Sequence, residues 1–403
     1  MTNLPQGWEV KTLSEIGEIV TGSTPSKSNL DFYGKDYPFF KPSDFEQGYF
    51  LENAGDNLSK LGFGKARQLP PKTILVVCIG SLGKVALTKV IGSCNQQINA
   101  IIPHKNIISE YIYYYCISSK FQSILFSKAP QTTLAILNKT EFSKLEIIYP
   151  KDIKEQERIV GILDFAFSKI DENIKKAKEN LANIDELMQS ALQKAFNPLN
   201  DNTKENYQLP QSWEWKSLGD TSNYGKTSQV KPSQLKGNDW ILELEDIEKE
   251  SGVLLQKVLF QDRQSKSNKI KFNKGDILFG TLRPYLKKVI IADDNGACSS
   301  EIMPFSTGNS ITNHFIYYYL FANFLHDRIS SLTYGARMPR LGTKDGKSLQ
   351  IPLPPLQEQD QIAEHLDFVF EKAKALKELY TKELKDYEEL KQSLLDKAFK
   401  GEL

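Results

Sequence analysis

The chain has 403 residues, 40% of them hydrophobic and 25% charged, with 51 Lys and Arg against 50 Asp and Glu for a net charge of +1. That size and balance describe a globular chain with room for two or more domains and exclude a disordered or fibrous one. No run of about eighteen apolar residues and no signal-peptide pattern occurs, which predicts a cytoplasmic location.

Residues 1–152 read as a mixed domain. Short β-branched and apolar runs at 74–79, 85–90, 98–103 and 145–149 are punctuated by Gly, Pro, Asn and Ser, as strands are, and a helical pattern interrupts near 109–127. Within this stretch Gly80-Ser81-Leu82-Gly83-Lys84-Val85 resembles a phosphate loop. The pattern GxxxxGK[ST] needs Gly where Cys78 stands and Ser or Thr where Val85 stands, so the segment is predicted to be a hairpin turn with a solvated lysine. Asp44 and Glu46 lack the following lysine of a nuclease site and read as a turn and its solvated neighbour.

From 153 to 198 the period changes. Leu163, Ile170, Ala177, Ile184 and Ala191 recur every seven residues, with Phe167, Ile174, Leu181, Met188 and Ala195 interleaved. This is the step of a coiled-coil seam held over about five heptads. At 1.5 Å per residue the helix is on the order of 60 Å long. Residues 199–208 are expected to form a polar linker. A second mixed domain follows at 209–354, with strands at 253–260, 277–279, 288–292 and 349–353 and a helical pattern near 311–330. Pro352-Leu353-Pro354-Pro355 stiffens the approach to a second long helix, 355–403. Its seam keeps Leu366, Phe370, Ala373, Tyr380, Leu384, Tyr387, Leu394 and Ala398, but Lys377 and Lys391 also fall on it, with Leu376, Leu379 and Leu390 beside them.

The two halves are one repeat. Glu155-Gln156 through Lys194-Ala195-Phe196 returns without a gap as Glu358-Gln359 through Lys397-Ala398-Phe399, at a constant offset of 203 residues. Outside the helices, Leu4-Pro5-Gln6-Gly7-Trp8-Glu9 returns as Leu209-Pro210-Gln211-Ser212-Trp213-Glu214, and Tyr113-Tyr114-Tyr115 as Tyr317-Tyr318-Tyr319. The predicted class is therefore α+β: two mixed α/β domains separated by two long helices, in a pseudo-two-fold tandem repeat. Residues 1–152 hold 16 Lys and Arg against 13 acids, and residues 205–354 hold 19 against 16. The helical stretches are net acidic, at −1 for 153–198 and −4 for 355–403. DNA contact by the globular parts is permitted by this balance but not demanded.

No catalytic chemistry emerges. His104, His314, His326 and His365 show no metal-binding spacing, and Cys78, Cys94, Cys116 and Cys298 show no CxxC pair and read as reduced, mostly buried thiols. Neither the [DNS]PP[YF] tetrapeptide of adenine methylases nor a glycine-rich methyl-donor loop is present. No catalytic residue and no metal ligand is expected.

Several motifs carry a resemblance. They are Leu4-Pro5 with Trp8, Leu209-Pro210 with Trp213-Glu214-Trp215, Thr21-Gly22-Ser23-Thr24-Pro25, and Lys41-Pro42-Ser43-Asp44. The most specific is Pro352-Leu353-Pro354-Pro355-Leu356-Gln357-Glu358-Gln359, with its shortened echo at Tyr149-Pro150 and Glu155-Gln156. In these the chain resembles the specificity subunit of type I restriction-modification enzymes. The second domain departs from the pattern, with Tyr224-Gly225-Lys226-Thr227 where Thr-Gly-x-Thr-Pro would stand.

The resemblance implies that each globular domain is a target-recognition domain reading one half of a split double-stranded DNA sequence. It implies that the helices pair antiparallel as a coiled-coil spacer. It also implies two docked modification subunits carrying S-adenosylmethionine and adenine-N6 methylation, with restriction subunits supplying ATP- and Mg-dependent translocation and cleavage; this chain would bind no cofactor. Removing one heptad from each helix is then expected to shorten the spacer by about 10 Å, or about three base pairs.

Base edges are read by polar and basic side chains in turns. The candidates are Lys27, Lys41, Ser81, Lys84, Gln96 and Gln97 in the first domain, and Lys226, Lys231, Arg283, Tyr285, Arg337 and Arg340 in the second. The tyrosine runs sit in helical patterns and read as packing rather than base stacking. The residues themselves leave two other functions open: a scaffold with protein-binding globular ends, and a stand-alone DNA-binding regulator.

Overall fold

Each half of the chain closes on itself by pairing its first strand with its last. The computed structural model describes residues 4–129, 135–201, 207–263 and 265–403. In it Trp8–Thr12 runs antiparallel to Glu146–Pro150, and Glu214–Ser217 antiparallel to Gln350–Leu353. Each closing strand leads directly into a long helix, α1 (Ile153–Phe196) after the first and α2 (Leu356–Ala398) after the second. Of the predicted linker, residues 202–206 lie outside the described residues.

The chain divides into two units. One holds the residues up to Ala177 together with Lys382–Leu403, and the other is Lys178–Thr381. Each unit therefore takes a piece of both long helices. In the first, a five-stranded sheet has the order Gly17–Thr21, Ile98–Pro103, Ile74–Val77, Val85–Thr88 and Phe50–Leu51. A three-stranded sheet, Asp56–Leu58, Tyr33–Phe40 and Ser93–Cys94, lies beside it in sequence. In the second unit, Gln229–Val230, Lys269–Phe272, Gly296–Cys298 and Trp240–Leu242 make a four-stranded sheet. Val289–Ile291, Ile277–Gly280 and Ile302–Phe305 make a three-stranded one.

The expected strand at 253–260 does not form. Only isolated bridges, Ile247 to Leu254 and Trp240 to Leu259, tie it down, and a helical turn takes over at Phe260–Arg263. Leu255, Gln256 and Lys257 are exposed between these ties, so the segment has no burial to hold a continuous ladder. The pattern at 109–127 is two helices, Ser109–Ile117 and Ser119–Lys128. They break at Ser118, whose hydroxyl donates to the Tyr115 carbonyl and accepts from the Phe121 N–H. That local bond competes with the helix ladder and caps the second helix instead. The pattern at 311–330 splits likewise into Asn313–Tyr319 and Asn323–Leu332.

Within each unit the two helix pieces run antiparallel, because contacts advance along one as they retreat along the other. In the first unit Arg158 donates to the Leu403 carbonyl at 2.8 Å and Asp171 pairs with Lys391 at 2.5 Å. In the second, Asp185 pairs with Lys377, while Leu192 and Phe196 share a core with Ala363 and Leu366. On the predicted seam, Leu163, Ile170, Ile174, Ile184, Met188 and Leu366 are buried. Phe167, Leu181, Phe370, Tyr380, Leu384, Tyr387 and Leu394 are half-buried. The two seam lysines thus each meet an aspartate of the facing helix, which offsets the cost of placing a charge there.

Candidate nucleic-acid interface

In the first unit backbone bonds gather four turns into one loop cluster. Cys78 N–H donates to Gln97 O at 2.8 Å, Asn95 N–H to Phe40 O at 3.1 Å, and Ser23 N–H to Cys94 O at 2.9 Å. This brings together Lys41, Ser81, Lys84, Gln96 and Gln97. Ser81 is exposed in the 80–83 turn, between Gly80 and Gly83, both at positive φ. Gly83 holds φ at +89°, a conformation L side chains rarely adopt, so the tight turn requires glycine there. Lys84 pairs with Glu46, and that hydrogen bond holds the Glu46 carboxyl below its usual range. Lys41 pairs with Asp56, while its own N–H donates to Asp44 at 2.7 Å. Asp44 also accepts from Gly55 N–H at 3.0 Å, so it is a turn staple. Gln96 accepts from the Thr24 hydroxyl, and Gln97 accepts from the Asn95 amide at 2.9 Å. Lys27 stands apart, exposed in the turn closed by Asn29 N–H and Ser26 O.

The second unit repeats two of these bonds and adds a matched third. Thr281 N–H donates to Glu301 O at 2.8 Å, Ser299 N–H to Leu242 O at 3.1 Å, and Gly280 N–H to Lys288 O at 2.9 Å, as Val77 N–H does to Lys84 O. Glu243 N–H donates to Asp246 at 2.8 Å, as Lys41 does to Asp44. The bonds place Glu243 where the first unit has Lys41, Lys288 where it has Lys84, and Glu301 where it has Gln97. The turn between them is longer here and carries Arg283 and Lys287 in the left-handed region, at φ +50° and +46°. Lys287 is buried and donates to the Phe321 carbonyl at 3.1 Å; burial lowers its pKa.

Arg283 N–H donates to Pro339 O at 2.7 Å, and Leu282 bridges to Arg340, which lies in the hairpin Thr333–Tyr334 with Arg340–Leu341. Arg283, Tyr285, Arg337 and Arg340 therefore share one loop cluster, with Tyr285 49% exposed. Lys226 and Lys231 sit on a different segment, exposed at 223–231. Below the cluster, Asp246 is fully buried and takes a bidentate pair from Arg263. Burial alone would raise its pKa, but the bonds from Arg263, Glu243 N–H and Gln256 bring it below the usual range.

A repeated pair of buried glutamines ties each helix to its globular part. The Gln156 carbonyl oxygen accepts Ile108 N–H at 2.9 Å and its amide donates to Pro150 O at 2.9 Å. The Gln359 carbonyl oxygen accepts Thr312 N–H at 2.9 Å and its amide donates to Pro354 O at 2.8 Å. Both residues are 0% exposed. The tyrosine runs pack: Tyr114 and Tyr115 are buried, as are Tyr318 and Tyr319, and Tyr114 and Tyr318 donate to Asp164 and Asp367 at matching helix positions.

The repeated Glu-Gln pair is visible in the sequence, but its role as a clamp is not. Glu243, Lys288 and Glu301 are not among the residues predicted to read bases, although an offset of 204, at which Cys94 meets Cys298, leads from Lys84 to Lys288 and from Gln97 to Glu301. Among the described residues no group of His, Cys, Asp or Glu is arranged to hold a metal ion, and no helix is long and apolar enough to cross a membrane.

The sequence pattern of the type I restriction modification DNA specificity domain matches residues 5–183 and again 210–385. Over 176 residues the chain is 39% identical to the type I restriction enzyme HindI specificity subunit of Haemophilus influenzae, a match covering 42% of this chain but only 38% of that subunit. The type I restriction enzyme EcoDI specificity subunit of Escherichia coli is 23% identical over 424 residues, covering 99% of this chain and 89% of its own. Among solved structures, one reported for the assembly and conformational transition of the type I R-M system superposes with a TM-score of 0.78 at 19% identity, covering 100% of both chains. That last likeness is one of fold.

Proposed function

The chain belongs to the family of type I restriction-modification specificity subunits, and on that premise we propose that it reads a bipartite, asymmetric double-stranded DNA target, one half-site per unit. One observation carries this reading. Each unit presents a loop cluster built from the same backbone bonds but furnished with different side chains. A shared frame with divergent polar tips suits two readers of unlike sequences, since base edges are distinguished by side-chain donors and acceptors.

In this reading Lys41, Ser81, Lys84, Gln96 and Gln97 face one half-site, with Lys27 at its margin. Arg283, Tyr285, Arg337 and Arg340 face the other, and Lys226 and Lys231 contact backbone phosphates. The long helices serve as the spacer and as the docking surface for two methyltransferase subunits, with restriction subunits joining the complex. S-adenosylmethionine and ATP with Mg belong to those partners, the chemistry takes place on them, and the complex works in the cytoplasm. This chain supplies the address.

The test is to express the chain with its methyltransferase subunit and map N6-methyladenine across host DNA by long-read sequencing, with and without the chain. A split motif methylated only in its presence supports the reading. A stable complex without a new motif removes the recognition role, and no complex at all favours a scaffold.

A further inference from the structure

The second unit contains a cleft of about 540 Å³ whose walls include Glu243, Glu245, Glu301, Arg263, Arg283 and Met338. Acidic groups are out of place on a surface that meets a polyanion, unless they do something the phosphates do not oppose. Their positions matter more than their number. Glu243 and Glu301 occupy the places held in the first unit by Lys41 and Gln97, as the matched bonds to Asp246 and Thr281 and to Asp44 and Cys78 show.

The cleft is also built. Glu243 is set by Lys269, which is 2% exposed and bonds it at 2.6 Å. Arg283 is held in the left-handed region by its bond to Pro339. Glu245 is 76% exposed and pairs with Arg263 at 3.5 Å. The Glu301 backbone carbonyl accepts from both the N–H and the hydroxyl of Thr281, at 2.8 and 3.0 Å. That fixes the Glu301 backbone at the wall of the cleft.

Resting on the DNA-reading function above, we infer that this cleft reads one base pair of the second half-site through an exocyclic amino group. Glu301 and Glu245 accept from the amino group of cytosine or adenine, and Arg283 donates to the guanine or thymine opposite or adjacent. A carboxylate is acceptor-only, so it rewards the amino bases and rejects the guanine O6 and thymine O4 acceptors. The first unit has Lys41, a donor only, where the second has Glu243, and Gln97, both donor and acceptor, where it has Glu301, so the equivalent places differ in hydrogen-bond character.

The experiment uses the complex of this chain with its methyltransferase, and a duplex library randomised one base pair at a time across the wild-type motif. Glu301→Gln and Glu245→Gln keep size and fold, and neither leaves a buried charge unpaired. Glu301→Gln, Glu245→Gln or both are expected to reduce discrimination for cytosine or adenine at one position of the second half-site by about tenfold, with the first half-site unchanged. The base lost identifies which amino group was read. Full retention of discrimination in both variants, or tighter binding spread evenly over all sequences, would overturn the inference and leave the carboxylates as general electrostatic tuning. A wild-type complex with no split motif would instead remove the reading on which the inference rests, and the inference with it.

Discussion

The two units spend the same backbone bonds on different side chains. Where a polar group bonds the frame, the units agree: Asp44 and Asp246 staple a turn, Gln156 and Gln359 clamp a helix, and Tyr114 and Tyr318 reach Asp164 and Asp367. Where the side chain lines the loop cluster, they agree at Lys84 and Lys288 but otherwise part: Lys41 against Glu243, Gln97 against Glu301, and a tight glycine turn against a longer one carrying Arg283 and Tyr285. The lesson is that duplication kept the groups whose loss would leave a buried donor or acceptor unsatisfied, and released those whose partner lies outside the protein.

The sharpest way to break this comparison is to exchange residues 1–150 for another recognition domain. Methylation mapping should then show a wholly new first half-site and an unaltered second one. A change in both halves would end the idea of independent readers. Next in size, Gln156→Leu and Gln359→Leu should each cost about 3 kcal/mol in urea unfolding, since each strands a buried N–H and carbonyl. The cost should be alike in both units, and Ile108 and Thr312 should lose amide protection. A large difference between the two would show that the clamps are not equivalent. Arg283→Ala should weaken the second half-site at one base pair by about 1–3 kcal/mol in competition binding, while Lys84→Ala should do less to the first, because Glu46 already neutralises that lysine.

The smallest effect concerns one further place where the units differ. His326 bonds the Leu320 carbonyl where the first unit has Gln122 bonding the Cys116 carbonyl. Burial lowers the His326 pKa from 6.5 to about 4. Between those values the unfolded chain takes up a proton that the folded unit refuses, so the second unit loses stability as pH falls from 6.5 toward 4. At pH 5.5 the loss is about 1 kcal/mol. Hydrogen exchange should show it in the second unit, and His326→Gln should abolish it. An unchanged pH dependence in that variant would assign it elsewhere.

Much of this organisation was legible in the sequence. The seven-residue period of Leu163 and Phe167, the ungapped repeat and the apolar runs at 74–79 and 98–103 marked the helices, the duplication and the central strands, because burial imprints a period. The bonds of Gln156 left no such imprint, since its partners Ile108 and Pro150 are fixed by tertiary folding. The segment at 253–260 had strand composition, but its exposed centre, Leu255 to Lys257, leaves only isolated bridges at its two ends. Carboxylates are not the usual partners of a polyanion, which hid Glu243 and Glu301; the repeat offset leads from Gln97 to Glu301, but the match of Lys41 with Glu243, two residues off that offset, shows only in the bonds of the folded units.

The last turn of α2 carries a consequence for synthesis. Phe399 packs edge-on against Tyr111 and Tyr115, and Leu395 and Ala398 are wholly buried in the first unit's core. The second unit is one contiguous stretch, Lys178–Thr381. On the ribosome, then, the order of completion is reversed: the part made first waits with its tyrosine face uncovered until the part made last emerges, while the middle of the chain can fold before either.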